Sequence, residues 1–357
     1  LWQGVYAAYA ALEYERAPTP RNLARAEKAV DGLALLGQRG RPIARSVLPL
    51  EVRTEAPGRF GRRDARWQWK EDASIDSAAG WVFGMVVAVE LVPTRRKEAL
   101  DALQRYADTL AAGGYRLRNS DGTPTRYNAV GGAVINSPTG LLTTLAALKT
   151  LARAGRGQRF VEAHRVLADD GQDLWAAYAT APFSWLNVTT NHNIAMLGLS
   201  AALLAEDDPA RQARYALGLL RVDELTRKMG DAFWIYLTDW ALSRRPAAVA
   251  ALEGSAALSR HRAIEPGLLA GAKTAMLQWH YPHNKLKLHR DGWRTARRPV
   301  PVYDRPAADF VWQRSPYARA GWPEAVMRRS QGQAYAPLDF LIAYSLGRSI
   351  GAISPDE

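Results

Sequence analysis

Helical periodicity runs through almost the whole chain while alternating strand patterns are nearly absent, and that contrast points to an all-α fold. Apolar residues recur at helical spacing over 2–15, where Val5, Tyr6, Tyr9 and Leu12 share a face, and again over 22–36, 75–91, 95–112, 137–154, 159–178, 194–205, 209–229, 232–243, 246–258 and 337–350. Pro20, Pro138, Pro209 and Pro337 stand at or beside first turns, where a missing N–H costs nothing. Only 115–118 and 300–303 offer short strand patterns.

The connections carry a second signal. Brief links such as Glu206-Asp207-Asp208 alternate with long polar segments at 38–74, 116–136 and 181–193. Helical hairpins with one trimmed rim and long loops on the other describe an (α/α) toroid or incomplete barrel, which is the expected architecture. Residues 259–332, rich in Arg, Trp, Pro and His, have little helical period outside 268–279 and are expected to wrap irregularly around the core. With no linker composition in view, 1–357 is expected to be a single α/α-toroid domain closed by a terminal helix over 337–350. The helices share no sequence repeat, which argues against a consensus solenoid.

Charge bears on partners. The chain has 47 Lys and Arg against 35 Asp and Glu, a net charge of +12. Such a field draws polyanions, and a GC-rich genome favouring Arg and Ala accounts for part of it equally well. No zinc-finger spacing, RNP-type motif or zipper-linked basic helix is present, so an acidic polysaccharide or oligosaccharide, not nucleic acid, is the expected partner. There is no cysteine, which excludes disulfides, thiolate nucleophiles and Cys-ligated metals. Phosphate-binding glycine loops and the G-x-S-x-G elbow are also missing. No run of 18 apolar residues occurs, so no membrane span is expected. A periplasmic or secreted location is expected; the lack of cysteine does not fix the compartment, because an enzyme of this size can manage there without disulfides.

Four constellations could carry chemistry. In Lys70-Glu71-Asp72-Ala73-Ser74-Ile75-Asp76-Ser77, two acids four apart stand at a helix start. They suit a general acid and base across a glycosidic bond, while capping by Asp72 or Ser74 explains them equally. The neighbouring Trp67, Trp69 and Trp81 offer flat faces for pyranose rings. In Asn119-Ser120-Asp121-Gly122-Thr123-Pro124-Thr125-Arg126-Tyr127-Asn128, turn chemistry accounts for Asp-Gly and Thr-Pro but not for Arg126 or Asn128; the arginine suits a bidentate carboxylate contact.

The third constellation is Asn187-Val188-Thr189-Thr190-Asn191-His192-Asn193, a polar run before an apolar helix, with Phe233-Trp234-Ile235-Tyr236 and Asp239 downstream. Amides grip hydroxyls and carboxylates, and a histidine moves a proton near neutrality; a loop-ordering histidine and core aromatics are the plainer alternatives. Lastly, Trp279-His280-Tyr281-Pro282-His283 has His-x-x-His spacing without an H-E-x-x-H pattern. It is taken as a loop flanking a substrate channel; the stretch around Trp312 suits polar, aromatic coverage of a groove or, equally, structural Arg and Trp packing, and neither a metal nor a cofactor is expected.

The segments Leu1 to Tyr6, Asp72 to Asp76, Asp121 to Arg126 and the terminal helix resemble a group of bacterial α/α-toroid proteins associated with polysaccharide use. Ser77 and Tyr127 depart from that pattern, which often has an acid and a tryptophan there. The Asn191-His192 pair is similar to the Asn-His of alginate-lyase-like toroids, where a tyrosine lies some tens of residues downstream, as Tyr236 does here. This resemblance implies β-elimination on an acidic glycan, with Asn191 and Arg126 holding the carboxylate, His192 as base and Tyr236 as acid. A glycoside hydrolase using Asp72 and Asp76, or a non-catalytic exopolysaccharide-binding protein, are the alternatives. Expected substrate contacts are Trp2, Gln3, Arg45, Trp69, Asn128, Asn193, Trp234, Asp239, His280 and Trp312.

Overall fold

Apolar faces at helical spacing become thirteen α-helices in the computed structural model, which describes residues 1–39, 42–53, 60–126, 133–179, 189–227, 230–278 and 338–356. The described residues are mostly helical, with one small sheet, in keeping with an all-α protein. Among the described residues no single helix is long and apolar enough to cross a membrane. The chain divides into two compact units, Leu1–Ala176 with Leu197–Arg211, and Ala177–Met196 with Gln212–Glu357.

Unit 1 is built from α1 (Trp2–Arg16), α2 (Pro20–Arg39), α3 (Ile75–Leu91), α4 (Arg96–Ala112), α5 (Pro138–Arg153), α6 (Gln158–Ala168) and α7 (Gln172–Ala179). Consecutive helices pack as hairpins, α1 on α2, α3 on α4 and α5 on α6. The odd-numbered helices also pack on one another, α1 on α3 and α3 on α5. Sequence explains the difference. α3 is apolar around nearly its whole circumference and buries all but a few of its residues, whereas α2, α4 and α6 each bury one stripe and turn charges outward. Helix α3 starts on a reciprocal cap in which Ser74 Oγ accepts from the Ser77 amide and Ser77 Oγ accepts from the Ser74 amide.

Within the long connection 38–74 lies an antiparallel sheet of β1 (Ser46–Pro49), β2 (Arg62–Arg63) and β3 (Trp67–Lys70), in the order β1-β3-β2, with Val47 opposite Trp69. The strand pattern expected over 115–118 reduces to an isolated bridge between Arg118 and Pro124.

The remaining described helices are α8 (Thr189–Ala205), α9 (Pro209–Thr226), α10 (Ala232–Ser243), α11 (Pro246–Ala251), α12 (Ala256–Gln278) and α13 (Leu338–Ser349). In unit 2, α10 packs on α12 and α13. Two expectations need correction. The segment expected to be irregular from 259 is helical through residue 278, as α12, with Pro266 inside it. The single helix expected over 159–178 is broken by a short 3-10 turn, Asp169–Gly171, where Gly171 adopts φ 75°.

Candidate functional site

Unit 1 holds a cavity of about 380 Å³ between α1, α2, β1 and the start of α3. Three residues expected to touch substrate, Trp2, Gln3 and Arg45, line it together, joined by Ser46, Ser77, Trp81 and apolar side chains such as Leu33 and Ile43. Trp81 is fixed by its indole N–H, which donates to the Leu33 carbonyl at 2.8 Å. The wall therefore combines aromatic faces, an amide, hydroxyls and a guanidinium, the donor set that a carboxylated sugar calls for.

Asp76, in the first turn of α3, is not part of the wall, but it precedes Ser77 and interacts electrostatically with Arg45, both of which line the cavity. Burial pushes its carboxyl above the usual carboxylate range, and the nearby Arg45 charge opposes this only in part. Asp72 goes the other way. Burial alone would raise it, but the Arg126 amide and Nε, each donating at 2.7 Å, hold it below the ordinary value. Asp72 also donates its own amide to Asn119 Oδ1 at 3.0 Å and accepts from Arg45 Nη1 at its carbonyl at 3.2 Å. Asp72 thus ties the 119–126 turn to the start of α3, and the cap of that helix is Ser74 instead. Arg126 spends its Nε and amide on Asp72. Beside them Arg62 spans Glu71 and Asp121, and Ser120 Oγ donates to Glu71. Trp69, on β3, is half-buried, with the Arg39 guanidinium over its ring at 6.0 Å.

In unit 2 the Asn191–His192–Asn193 run is not a loop. Helix α8 begins at Thr189, so all three residues are helical. Asn191 is exposed, whereas His192 and Asn193 are only 3% and 1% exposed. Asn193 Oδ1 accepts from Trp234 Nε1 at 2.6 Å, and the His192 ring stacks on Trp234 at 5.4 Å with planes 12° apart. Desolvation drives the His192 imidazole down to about 4, so it is neutral at physiological pH. Its Nδ1 is buried with no hydrogen-bond partner among the described residues. Tyr236 is fully buried in α10, its hydroxyl donating to the Leu269 carbonyl of α12 at 3.4 Å, so it lies in the core and not at a solvent-facing mouth.

Asp239 does not stand free for a ligand's hydroxyl: its Oδ1 lies 2.7 Å from His261 Nε2. The structure thus brings together Trp2, Gln3 and Arg45 beside Asp76, pairs Asp72 with Arg126, and clusters His192, Asn193 and Trp234 separately. Asn128, His280 and Trp312 lie outside the described residues.

Sequence reasoning missed His261 and Glu265 as candidates. Their four-residue spacing is a helical signal, visible only once 256–278 is taken as helix. No protein-family model matches the chain, and neither does any curated protein or solved structure.

Proposed function

We propose that the chain is a carbohydrate-active protein that binds a uronate-containing polysaccharide or oligosaccharide in the cavity of unit 1 and cleaves it by hydrolysis, with Asp76 as general acid. One observation carries this reading: Trp2, Gln3 and Arg45 line one cavity of about 380 Å³, beside a carboxyl that burial pushes upward. That volume falls within the range of roughly 300–1,000 Å³ typical of small-ligand sites. A tryptophan face takes the sugar ring, the amide takes hydroxyls, and Arg45 takes the uronate carboxylate. Asp76, whose carboxyl burial pushes upward, gives a proton to the glycosidic oxygen as the bond to the leaving sugar breaks, and a water molecule adds to the anomeric carbon and releases a proton, which restores the acid. Asp72, with both oxygens accepting from Arg126, holds the start of α3 in place and is not the second carboxylate of this reading.

The architecture that goes with this function is the α/α toroid. Its support is the packing of α1, α3 and α5 as a buried series, with the amphipathic α2, α4 and α6 as their hairpin partners. A periplasmic or secreted location, where such polymers are met, belongs to the same proposal.

A second reading, β-elimination, is favoured by the neutral His192 with its unpartnered Nδ1 beside the exposed Asn191. One assay separates the two. The purified chain is incubated with uronate-rich and neutral polysaccharides while new reducing ends and far-ultraviolet absorbance of unsaturated uronate are followed together. Hydrolysis yields reducing ends without the absorbance, is abolished by Asp76→Asn, and shows KM raised at least about tenfold by Arg45→Ala. Absorbing products that survive Asp76→Asn but vanish in His192→Ala would replace it with β-elimination. Binding without either product would leave an exopolysaccharide-binding protein.

A further inference from the structure

We infer that Asp239, His261 and Glu265 form a divalent-cation site in unit 2, independent of the cavity in unit 1. His261 and Glu265 stand four residues apart on α12 and so share a face, and Asp239 meets them from α10. One ligand atom from each side chain falls within 4.8 Å of the others.

The surroundings of the imidazole are those of a ligating histidine. Its Nε2 faces Asp239 Oδ1 at 2.7 Å, while Nδ1 lies 3.3 Å from Asp223 Oδ2. Asp223 is itself anchored by Arg227 Nη2 at 3.0 Å. A buried carboxylate on Nδ1, the usual outer-shell partner of a ligating histidine, fixes the ring with Nε2 turned toward Asp239.

Glu265 supplies a second, separate indication. It makes no hydrogen bond or ion pair among the described residues, yet one of its carboxyl oxygens lies within 4.8 Å of the ligand atoms of Asp239 and His261. Arg262, on the same helix, is held in a forked pair by Glu253. Three carboxylates (Asp223, Asp239 and Glu265) therefore face two cations, His261 and Arg227. A like-charged pair with a surplus negative charge is relieved by a cation.

The exchange balances. A divalent ion takes the Nε2 lone pair of His261 and one oxygen each from Asp239 and Glu265, and the proton now between His261 and Asp239 leaves to solvent. With bond lengths of about 2.0–2.2 Å, ligand atoms on one ion stand about 3.3 Å apart; His261 Nε2 and Asp239 Oδ1, now 2.7 Å apart, open slightly as their shared proton leaves, and the partly exposed Glu265 rotates in from within 4.8 Å. Water completes the coordination.

The alternative is a metal-free bridge in which a charged His261 simply ties Asp223 to Asp239. Calorimetry of the full chain, stripped with chelator and titrated with zinc chloride near neutral pH in two buffers of different protonation enthalpy, decides. The expected result is one equivalent bound, with about one proton released per ion. Glu265→Gln, at a partly exposed position that leaves the His261 bridge intact, weakens binding by at least about tenfold without changing helicity. Asp239→Asn weakens it further, and replacing His280, His283 and His289 together by alanine leaves it unchanged. The site is overturned if the wild-type chain binds no stoichiometric zinc, if Glu265→Gln binds as the wild type does, or if only the triple alanine variant loses binding.

Discussion

Asp72 sits at φ 66°, a left-handed conformation that non-glycine residues seldom adopt, and it is the hub where Arg45, Asn119 and Arg126 meet. Aspartate tolerates this backbone better than most side chains and brings two acceptors for Arg126. Replacing it separates the two contributions. Asp72→Ala loses the Arg126 contacts and keeps a Cβ in the left-handed region, an expected loss of about 2 kcal/mol, moderated because the Arg126 side chain is largely exposed. Asp72→Gly loses the same contacts but relaxes the backbone, and is expected to recover about 1 kcal/mol of that loss. Urea midpoints of the two variants check this; equal midpoints would mean that backbone conformation plays no part in the choice of aspartate. The local pattern identified both acids at the start of α3, but not their division of roles. Arg126 lies 54 residues beyond Asp72, and no periodicity encodes that contact.

At the scale of elements, the crossing of α1 over α3 brings two backbones into direct contact. A Cβ on Gly4 would stand 1.7 Å from the Gly80 carbonyl oxygen, and one on Gly84 would stand 2.5 Å from the Gly4 oxygen. Neither neighbour is a side chain that could swing aside. Gly4→Ala and Gly84→Ala are therefore expected to cost at least about 3 kcal/mol each or to prevent folding of unit 1. Gly271→Ala, on the exposed side of α12 with nothing within 4 Å, should instead stabilise by roughly 0.5–1 kcal/mol. Thermal melts of the three variants check the contrast, and a tolerated Gly4→Ala would refute the close crossing.

Where an element was long and apolar, sequence sufficed: α3 and α10 have the bounds that periodicity predicts, 75–91 and 232–243. α12 was hidden because Pro266 and the Ser259-Arg260-His261-Arg262 run interrupt its apolar stripe, and packing against α10 overrides both. The three strands escaped notice because segments of two to four residues are too short to display alternation.

Across the whole molecule, buried histidines of opposite behaviour bracket the neutral range. His164 in unit 1 and His192 in unit 2 are each driven by desolvation from 6.5 to about 4, Glu206 opposing at His164. The unfolded chain takes up these protons near 6.5 while the folded chain resists until about 4, so acidification through that window favours unfolding. At His261 burial also lowers affinity for the proton, but hydrogen bonds to Asp223 and Asp239 overcome it and raise the group to about 9. Its contribution is complete below 6.5 and is lost as pH climbs through about 9. Stability should therefore peak near pH 6.5, each group adding a slope of up to about 1.4 kcal/mol per pH unit within its own window. Denaturation of the metal-free chain across the range checks this. His192→Phe keeps a flat ring on Trp234 and should flatten the acid limb, while His261→Gln should flatten the alkaline one. A His261→Gln chain that loses stability between neutrality and pH 9 as steeply as the wild type would assign the alkaline limb to some other group, and with it would go the charged imidazole that ties α10 to α12.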